Sequence, residues 1–186
     1  AAAVVVWRYP LDMGRIISRS NQWIVMNYSA FFILVIIAGR SLYTLPQFDF
    51  RPYHIGTNLR EGWQRMIDGK ESPYAEFFIE RAGDGEDLTE EILNDEGYTF
   101  LLVAPHLEDA DDSQLDLINQ AYEYAEDNGY PFYCLTASGE KGISRWRDIT
   151  GAEYPFALTD ETTLKTVIRS NPGLLLLKDG TIIRKW

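Results

Sequence analysis

Cys134 is the only cysteine in 186 residues, so any thiol chemistry rests on one sulfur. A Cys-x-x-Cys redox pair and an internal disulfide are both excluded. Cys134 lies in the run Phe132-Tyr133-Cys134-Leu135, whose composition reads as a strand, and alternation puts it on the face opposite Tyr133 and Leu135. A free cysteine in that setting is a core residue. To act as a nucleophile it would need exposure and a neighbour that favours the thiolate, which is the alternative of a one-Cys thiol reductase or peroxidase. The second string with chemical potential is Pro105-His106-Leu107-Glu108-Asp109-Ala110-Asp111-Asp112. Its four acids stand just ahead of a helical pattern, where they suit the helix dipole and the N-cap, and the run lacks the glycine and closing glutamate of a calcium loop. His106 has the chemistry of a general acid or a ligand but no Cys or Ser partner at useful spacing. The other histidine, His54, stands beside Arg51 with no second ligand at metal spacing. No nucleophile elbow for a Ser-His-Asp set occurs. The residue types call for no metal and no cofactor.

The elements that would position these groups alternate strand and helix. Residues 75–81 read as a strand and 88–94 as a short acidic helix. Thr99-Phe100-Leu101-Leu102-Val103-Ala104 is a continuous apolar run of strand length, as expected of a central strand covered on both faces. A helix then starts near Asp111-Asp112-Ser113, buries Leu115, Ile118, Tyr122 and Ala125 at helical spacing, and stops at Asn128-Gly129. After the Cys134 strand, Ile143, Trp146 and Ile149 mark one amphipathic helix ending at Gly151, and Leu164, Val167 and Ile168 mark another opened by Thr159-Asp160. Strands followed by helices predict parallel pairing. Leu174 to Leu177 and Thr181 to Ile183 are joined through Lys178-Asp179-Gly180, an Asp-Gly hairpin signal.

Ahead of this region the chain changes character. Ser20 to Gly39 carries no charged side chain and, as a helix of 1.5 Å rise, covers the roughly 30 Å hydrocarbon core of a bilayer. Trp23 and Tyr43 fall near its ends, and Arg19 and Arg40 bracket it. Asn27 and Ser29 interrupt the run, and both are small enough to hydrogen-bond to backbone or to another helix. It reads as a transmembrane helix within residues 20–45, too long and too far into the chain for a signal-peptide core. Residues 1–7, apolar from the first position, read as the end of a preceding span, and 8–19 as a basic loop between the two. Residues 46–73, with Pro46 and Pro52 and several aromatic rings, read as a juxtamembrane linker. Within it, 62–72 continue as a short helix, and Phe48, Phe50 and Tyr53 pack on the membrane interface or under the domain at 74–186.

Charge divides the chain in the same place. Residues 1–65 hold seven basic side chains against three acids, net +4, and residues 66–186 hold ten against twenty-five, net −15. An acidic domain repels phosphate backbones and anionic lipid, so nucleic acid is not its partner. The basic residues flanking the span barely discriminate its two sides, with a slight preference for a cytoplasmic first flank and a soluble domain outside the membrane.

Asn171-Pro172-Gly173, a helix before it, and an apolar strand and Asp-Gly hairpin after it together resemble the C-terminal half of a thioredoxin-like domain. The resemblance implies an α/β fold, a mixed sheet flanked by helices, attached here to an N-terminal transmembrane helix. It also implies a cis Asn171-Pro172 bond and a groove formed by Pro105, His106, Asn171 and Pro172. In that family a Cys-x-x-Cys pair follows the central strand; here the place reads Pro105-His106-Leu107-Glu108, which implies a redox-inactive domain. The family's last helix is absent after Trp186, which reads as truncation. The juxtamembrane string Phe48-Asp49-Phe50-Arg51-Pro52-Tyr53-His54-Ile55-Gly56-Thr57-Asn58 resembles the C-terminal part of bacterial DoxX-family membrane proteins that carry an appended thioredoxin-like domain. That resemblance implies a binding or accessory component of an envelope respiratory or thiol-redox system. Its partners would be the lipid bilayer and an envelope protein, with the domain facing the periplasm of a bacterial cytoplasmic membrane.

Overall fold

The structure is a computed structural model that describes residues 19–43, 51–72 and 77–186. The expected end of an earlier span, most of the basic loop, and the positions of Pro46, Phe48 and Phe50 lie outside the described residues. The chain forms two compact units, Ala1–Phe48 and Asp49–Trp186.

In the first unit, α1 (Arg19–Tyr43) is one uninterrupted helix of 25 residues, about 37 Å long at 1.5 Å per residue. Its segment Gln22–Ser41 has a mean hydropathy of 1.7 and buries none of its length, so length and composition suffice to cross a bilayer. Nothing interrupts its backbone ladder, because Ser29 turns its hydroxyl back to the Met26 carbonyl at 2.9 Å. A polar side chain in an apolar helix is thus satisfied locally.

The second unit is built from α2 (Leu59–Ile67), β1 (Glu80–Arg81), α3 (Thr89–Asn94), β2 (Tyr98–Val103), α4 (Leu115–Asp127), β3 (Phe132–Thr136), α5 (Glu140–Thr150), β4 (Phe156–Leu158), α6 (Glu161–Val167), β5 (Gly173–Lys178) and β6 (Thr181–Lys185). The six strands form one sheet in the order β1-β4-β3-β2-β5-β6. β2, β3 and β4 run parallel, whereas β5 pairs antiparallel with β2 and β6 with β5. This is the thioredoxin-like arrangement, a mixed sheet with helices on both faces.

Side-chain alternation sorts the two faces. Leu101, Val103, Leu135, Ala157, Leu175 and Leu177 point to one side and pack with Leu59 and Trp63 of α2, Ile92 and Leu93 of α3, and Leu164 and Val167 of α6. Phe100, Leu102, Phe132, Cys134 and Phe156 point to the other and pack with α4 and α5. From Phe100 to Val103, β2 is therefore apolar because both of its faces are covered.

Three points of the sequence reading are refined. Of the two placements expected for Tyr53 in the juxtamembrane stretch, the one under the domain is found: Tyr53, with Leu59 and Trp63, belongs to the core, and Tyr53 meets the Phe77 ring at 5.8 Å. The helix of this stretch begins at Leu59, where the Asn58 side chain accepts the Glu61 amide at 2.9 Å as N-cap. Arg60 ties it down, bonding the Leu93 carbonyl at 2.8 Å and the Asp179 carboxylate at 2.6 Å. A sequence reading gives weight to local pattern, and a helix held by distant partners lacks one. Second, β4 was not anticipated; three residues between two helices give too short an alternation to register. Third, the strand expected at 75–81 is reduced to Glu80–Arg81 among the described residues. The hairpin follows its signal: Asp179 and Gly180 both take positive φ, 51° and 67°, as a tight two-residue turn requires.

Candidate functional site

The parallel strands β2, β3 and β4 end together, and the loops leaving them, with the loop that enters antiparallel β5, bring side chains from four segments to one rim. Open α/β sheets bind ligands at such an edge. Beyond Val103 the ladder continues for one residue, with the Ala104 amide on the Leu135 carbonyl at 2.9 Å, and the Pro105 carbonyl then accepts the Ala137 amide at 3.2 Å. Pro105 is buried and His106 half-buried.

From there the expected groove residues come together. The Asn171 side-chain amide donates to the His106 carbonyl at 2.7 Å, and the Asn171 carbonyl accepts the Asp111 amide at 2.9 Å. The Asn171-Pro172 bond is cis, and both residues are half-buried. Gly173 follows because a side chain there would fall 2.2 Å from Ile168 Cδ1. Residues 65 positions apart thus share one surface.

Sequence reasoning missed three partners. The His106 ring lies 3.0 Å from the Glu161 carboxylate, which also pairs with Lys165 one turn along α6. These bonds, Lys165 first and His106 second, hold the Glu161 carboxyl below the usual range. Ser138 donates to Glu108 at 2.5 Å and accepts the Leu107 amide at 2.9 Å. The Ser138 bond is the main reason the Glu108 carboxyl also sits low, with the neighbouring His106 and Arg145 adding to it. Gly142 has no Cβ because one would stand 2.3 Å from Glu108 Oε1. Partners 30 and 55 positions apart leave no local signal, although Glu161 could have been marked as the first helical residue after Asp160.

The acidic run is also placed differently from its expectation. Leu107–Asp109 form a short 3-10 turn, and α4 begins at Leu115 with Gln114 as its N-cap and no side-chain cap bond. Among the four acids none caps the helix. Asp111 instead accepts the Ser113 amide at 2.9 Å, which keeps its carboxyl low.

Cys134 stands elsewhere. It is fully buried among rings of the second core cluster, including Phe132, Tyr154 and Phe156, and burial pushes its thiol well above the ordinary range. The exposed, thiolate-prone cysteine that the one-Cys alternative needs is therefore not formed. His106 has a carboxylate partner in Glu161, and the Ser138 hydroxyl is bonded to Glu108 and the Leu107 amide. His54 is held in a local turn, its Nδ1 3.0 Å from the Thr57 hydroxyl. Among the described residues no three His, Cys, Asp or Glu side chains converge as metal ligands.

A second cleft, of about 400 Å³, lies at the opposite end of the sheet between Glu91, Asp95, Thr99, Pro131 and Tyr133. Its Asp95 is already satisfied by the Gly97 amide at 2.8 Å and the Thr99 hydroxyl at 2.9 Å.

No family model matches this chain, and no curated protein matches it. Among solved structures it is similar to the thioredoxin domain of a thiol-disulfide oxidoreductase from Bacteroides vulgatus, at 15% identity over 59% of this chain and 81% of that one, with a TM-score of 0.45. It is also similar to StoA from Bacillus subtilis, at 15% identity over 59% and 85%, TM-score 0.43. Peroxiredoxin Q from Xanthomonas campestris gives 15% identity over 62% and 84%, TM-score 0.42. This likeness is one of fold alone.

Proposed function

We propose that this chain is a membrane-anchored, redox-inactive thioredoxin-like module that binds a polypeptide partner at the rim around Pro172. The observation that carries the reading is the division of chemistry between core and rim. The only thiol is buried in an aromatic cluster, while the strand ends present Asn171, His106 and Glu161 in a shared hydrogen-bonded array. The resemblance of the juxtamembrane string to DoxX-family proteins extends the proposal. On it, the module is an accessory component of a respiratory or thiol-redox assembly in the bacterial envelope, with α1 in the cytoplasmic membrane and the domain in the periplasm. The 25-residue apolar helix supports the anchor, and the acidic domain, which does not seek anionic lipid, supports a separate soluble position.

The decisive comparison is complementation by full-length genes. Cys134→Ser is expected to retain biological role, and Asn171→Leu, which removes the rim's amide, to lose it while folding is retained. Loss of role in a folded Cys134→Ser protein would return the case to thiol chemistry. The anchor and its orientation are tested separately. The intact chain should partition into detergent, and protease added to intact spheroplasts should cut at the exposed Asp84-Gly85 turn. Aqueous partition, or protection of that turn, would reverse those parts of the reading.

A further inference from the structure

The two faces of β5 are covered unequally. Toward α2, α3 and α6, Leu175 and Leu177 are each 1% exposed. On the opposite face Leu174 and Leu176 are only half-buried, because the helices of that face, α4 and α5, gather on Phe100, Phe132 and Phe156 of β2, β3 and β4. Trp186, hydrogen-bonded directly across from Leu174 and so on the same face, is 51% exposed. One flank of α4 borders this opening. Its Tyr122 ring meets Phe132 of β3 at 5.4 Å and its Tyr124 ring meets Phe100 of β2 at 6.4 Å. The Tyr124 side of the helix therefore faces β5, which lies beyond β2 in the sheet. Leu117, Ala121 and Tyr124 share that side at helical spacing, with Leu117 60% and Tyr124 56% exposed. Together with Leu174, Leu176 and Trp186 they form one open apolar strip on the flat face of the sheet, of the kind that marks an interaction surface.

Charge indicates what fits the strip. Asp116, Glu123 and Asp127 lie exposed along the crown of α4, on one border. On the other stand Lys178 and Arg184, which share the face of Leu174 and Leu176 by alternation and by the pairing of Arg184 with Leu176. Each lies over a ring, Lys178 over Tyr98 at 5.0 Å and Arg184 over Trp186 at 5.9 Å, and neither is joined to a carboxylate among the described residues. We propose that the strip joins two copies of this chain in an isologous dimer, the acidic crown of α4 in each meeting Lys178 and Arg184 of the other. A two-fold axis normal to the strip and close to Ala121 lays the α4 side of one copy over the β5 and β6 side of its partner, so both apolar halves and both charge pairings form at once. The two α4 helices then run antiparallel, which brings Asp116 of one copy toward Arg184 of the other. A foreign partner would need the same apolar band with both signs of charge in the same order, whereas a second copy has them by symmetry. The net negative charge of the two domains slows their encounter, but it is screened beyond about 8 Å at physiological ionic strength, and the opposed charges act at contact.

The test uses the full chain in detergent micelles. Light scattering, with the detergent's share subtracted, should give twice the mass of one chain. A short bismaleimide should join Ala121→Cys chains into covalent pairs and leave the wild type, whose Cys134 is fully buried, as single chains. Leu117→Glu, at an exposed site that leaves the fold intact, should raise the dissociation constant by about tenfold or more, as a charge set against an apolar interface does. Arg184→Glu should also weaken the pair, and adding Asp116→Arg should recover most of the loss, a rescue that a purely structural role of either residue would not give. A monomeric wild type overturns the proposal, whether the strip is then bare or covered by another segment of the polypeptide. A dimer that resists Leu117→Glu and in which Ala121→Cys does not cross-link is held elsewhere, through α1 for example, and overturns it equally. Weakening by Arg184→Glu without rescue by Asp116→Arg overturns the two-fold charge pairing.

Discussion

Two positions along β3 separate a closed aromatic region from a polar rim. Around Cys134 the second core cluster is a set of touching rings: Phe100 stacks on Phe132 with centroids 6.1 Å apart, and Tyr154 lies 5.3 Å from both Phe132 and Phe156. Tyr154 itself is 1% exposed and spends its hydroxyl accepting the Trp146 indole N–H at 3.0 Å. At Thr136 the strand ends and the character inverts: the Thr136 hydroxyl takes the Ser138 amide at 3.1 Å, and beyond it stand Glu108, His106, Glu161 and Asn171. Rings exclude water and so raise the cost of a thiolate. Polar loops at strand ends keep water near and leave backbone groups to be matched. Position within the sheet, more than residue type, separates the fully buried Cys134 from the half-buried Asn171.

The sharpest way to break the contrast is to open the aromatic region. Trp146→Ala removes a ring that is 4% exposed and strips Tyr154 of its indole donor, so denaturant unfolding should show a loss of about 3–5 kcal/mol. A loss below 1 kcal/mol would mean the rings are loosely packed. Cys134→Ser comes next, at about 1–3 kcal/mol for a buried hydroxyl without an assured partner. In the wild type, maleimide labelling of Cys134 should run at the rate of global unfolding. Fast labelling of folded protein would erase the distinction between the two regions.

Gly142→Ala probes the rim and should act locally. Its new Cβ meets Glu108 Oε1 at 2.3 Å and Ser138 Cβ at 2.9 Å, so the carboxylate must leave Ser138. The better helix propensity of alanine offsets part of that loss. The net change should stay within about 1 kcal/mol, while the Leu107 amide, bonded to Ser138, exchanges faster. The mildest perturbation is pH. Glu108 and Glu161 carry carboxyls held below the ordinary value, so their contribution is fully present above about pH 4.3, the unfolded value. It disappears as pH falls through the lower folded values. Protonation below about pH 4 should raise exchange at Leu107 and Asp111 and leave Leu102 unchanged at constant global stability. Equal loosening at Leu102 would show that rim and core respond as one.

Much of this was legible in the chain, and what was not has a common cause. Apolar runs fixed β2 and the Cys134 strand, helical spacing of Ile118 and Ala125 and of Ile143 and Trp146 fixed two helices, Asp-Gly fixed the hairpin, and an uncharged stretch fixed α1. These are periodic or local signals, and a single sequence carries them in full. The likeness to thioredoxin-like domains drew His106, Asn171 and Pro172 together before any coordinates. Tertiary structure decided the remainder. It committed Ser138 to Glu108, paired His106 with Glu161, laid Asp111 on Asn171, and drew Tyr53, Leu59 and Trp63 into the core from a stretch that reads as linker. Each of these depends on two segments 30 or more positions apart, or on packing against a surface that exists only once the sheet has formed. Hydrogen bonds and burial between such segments leave no periodicity behind, so their pairing becomes visible only where the folded strands end.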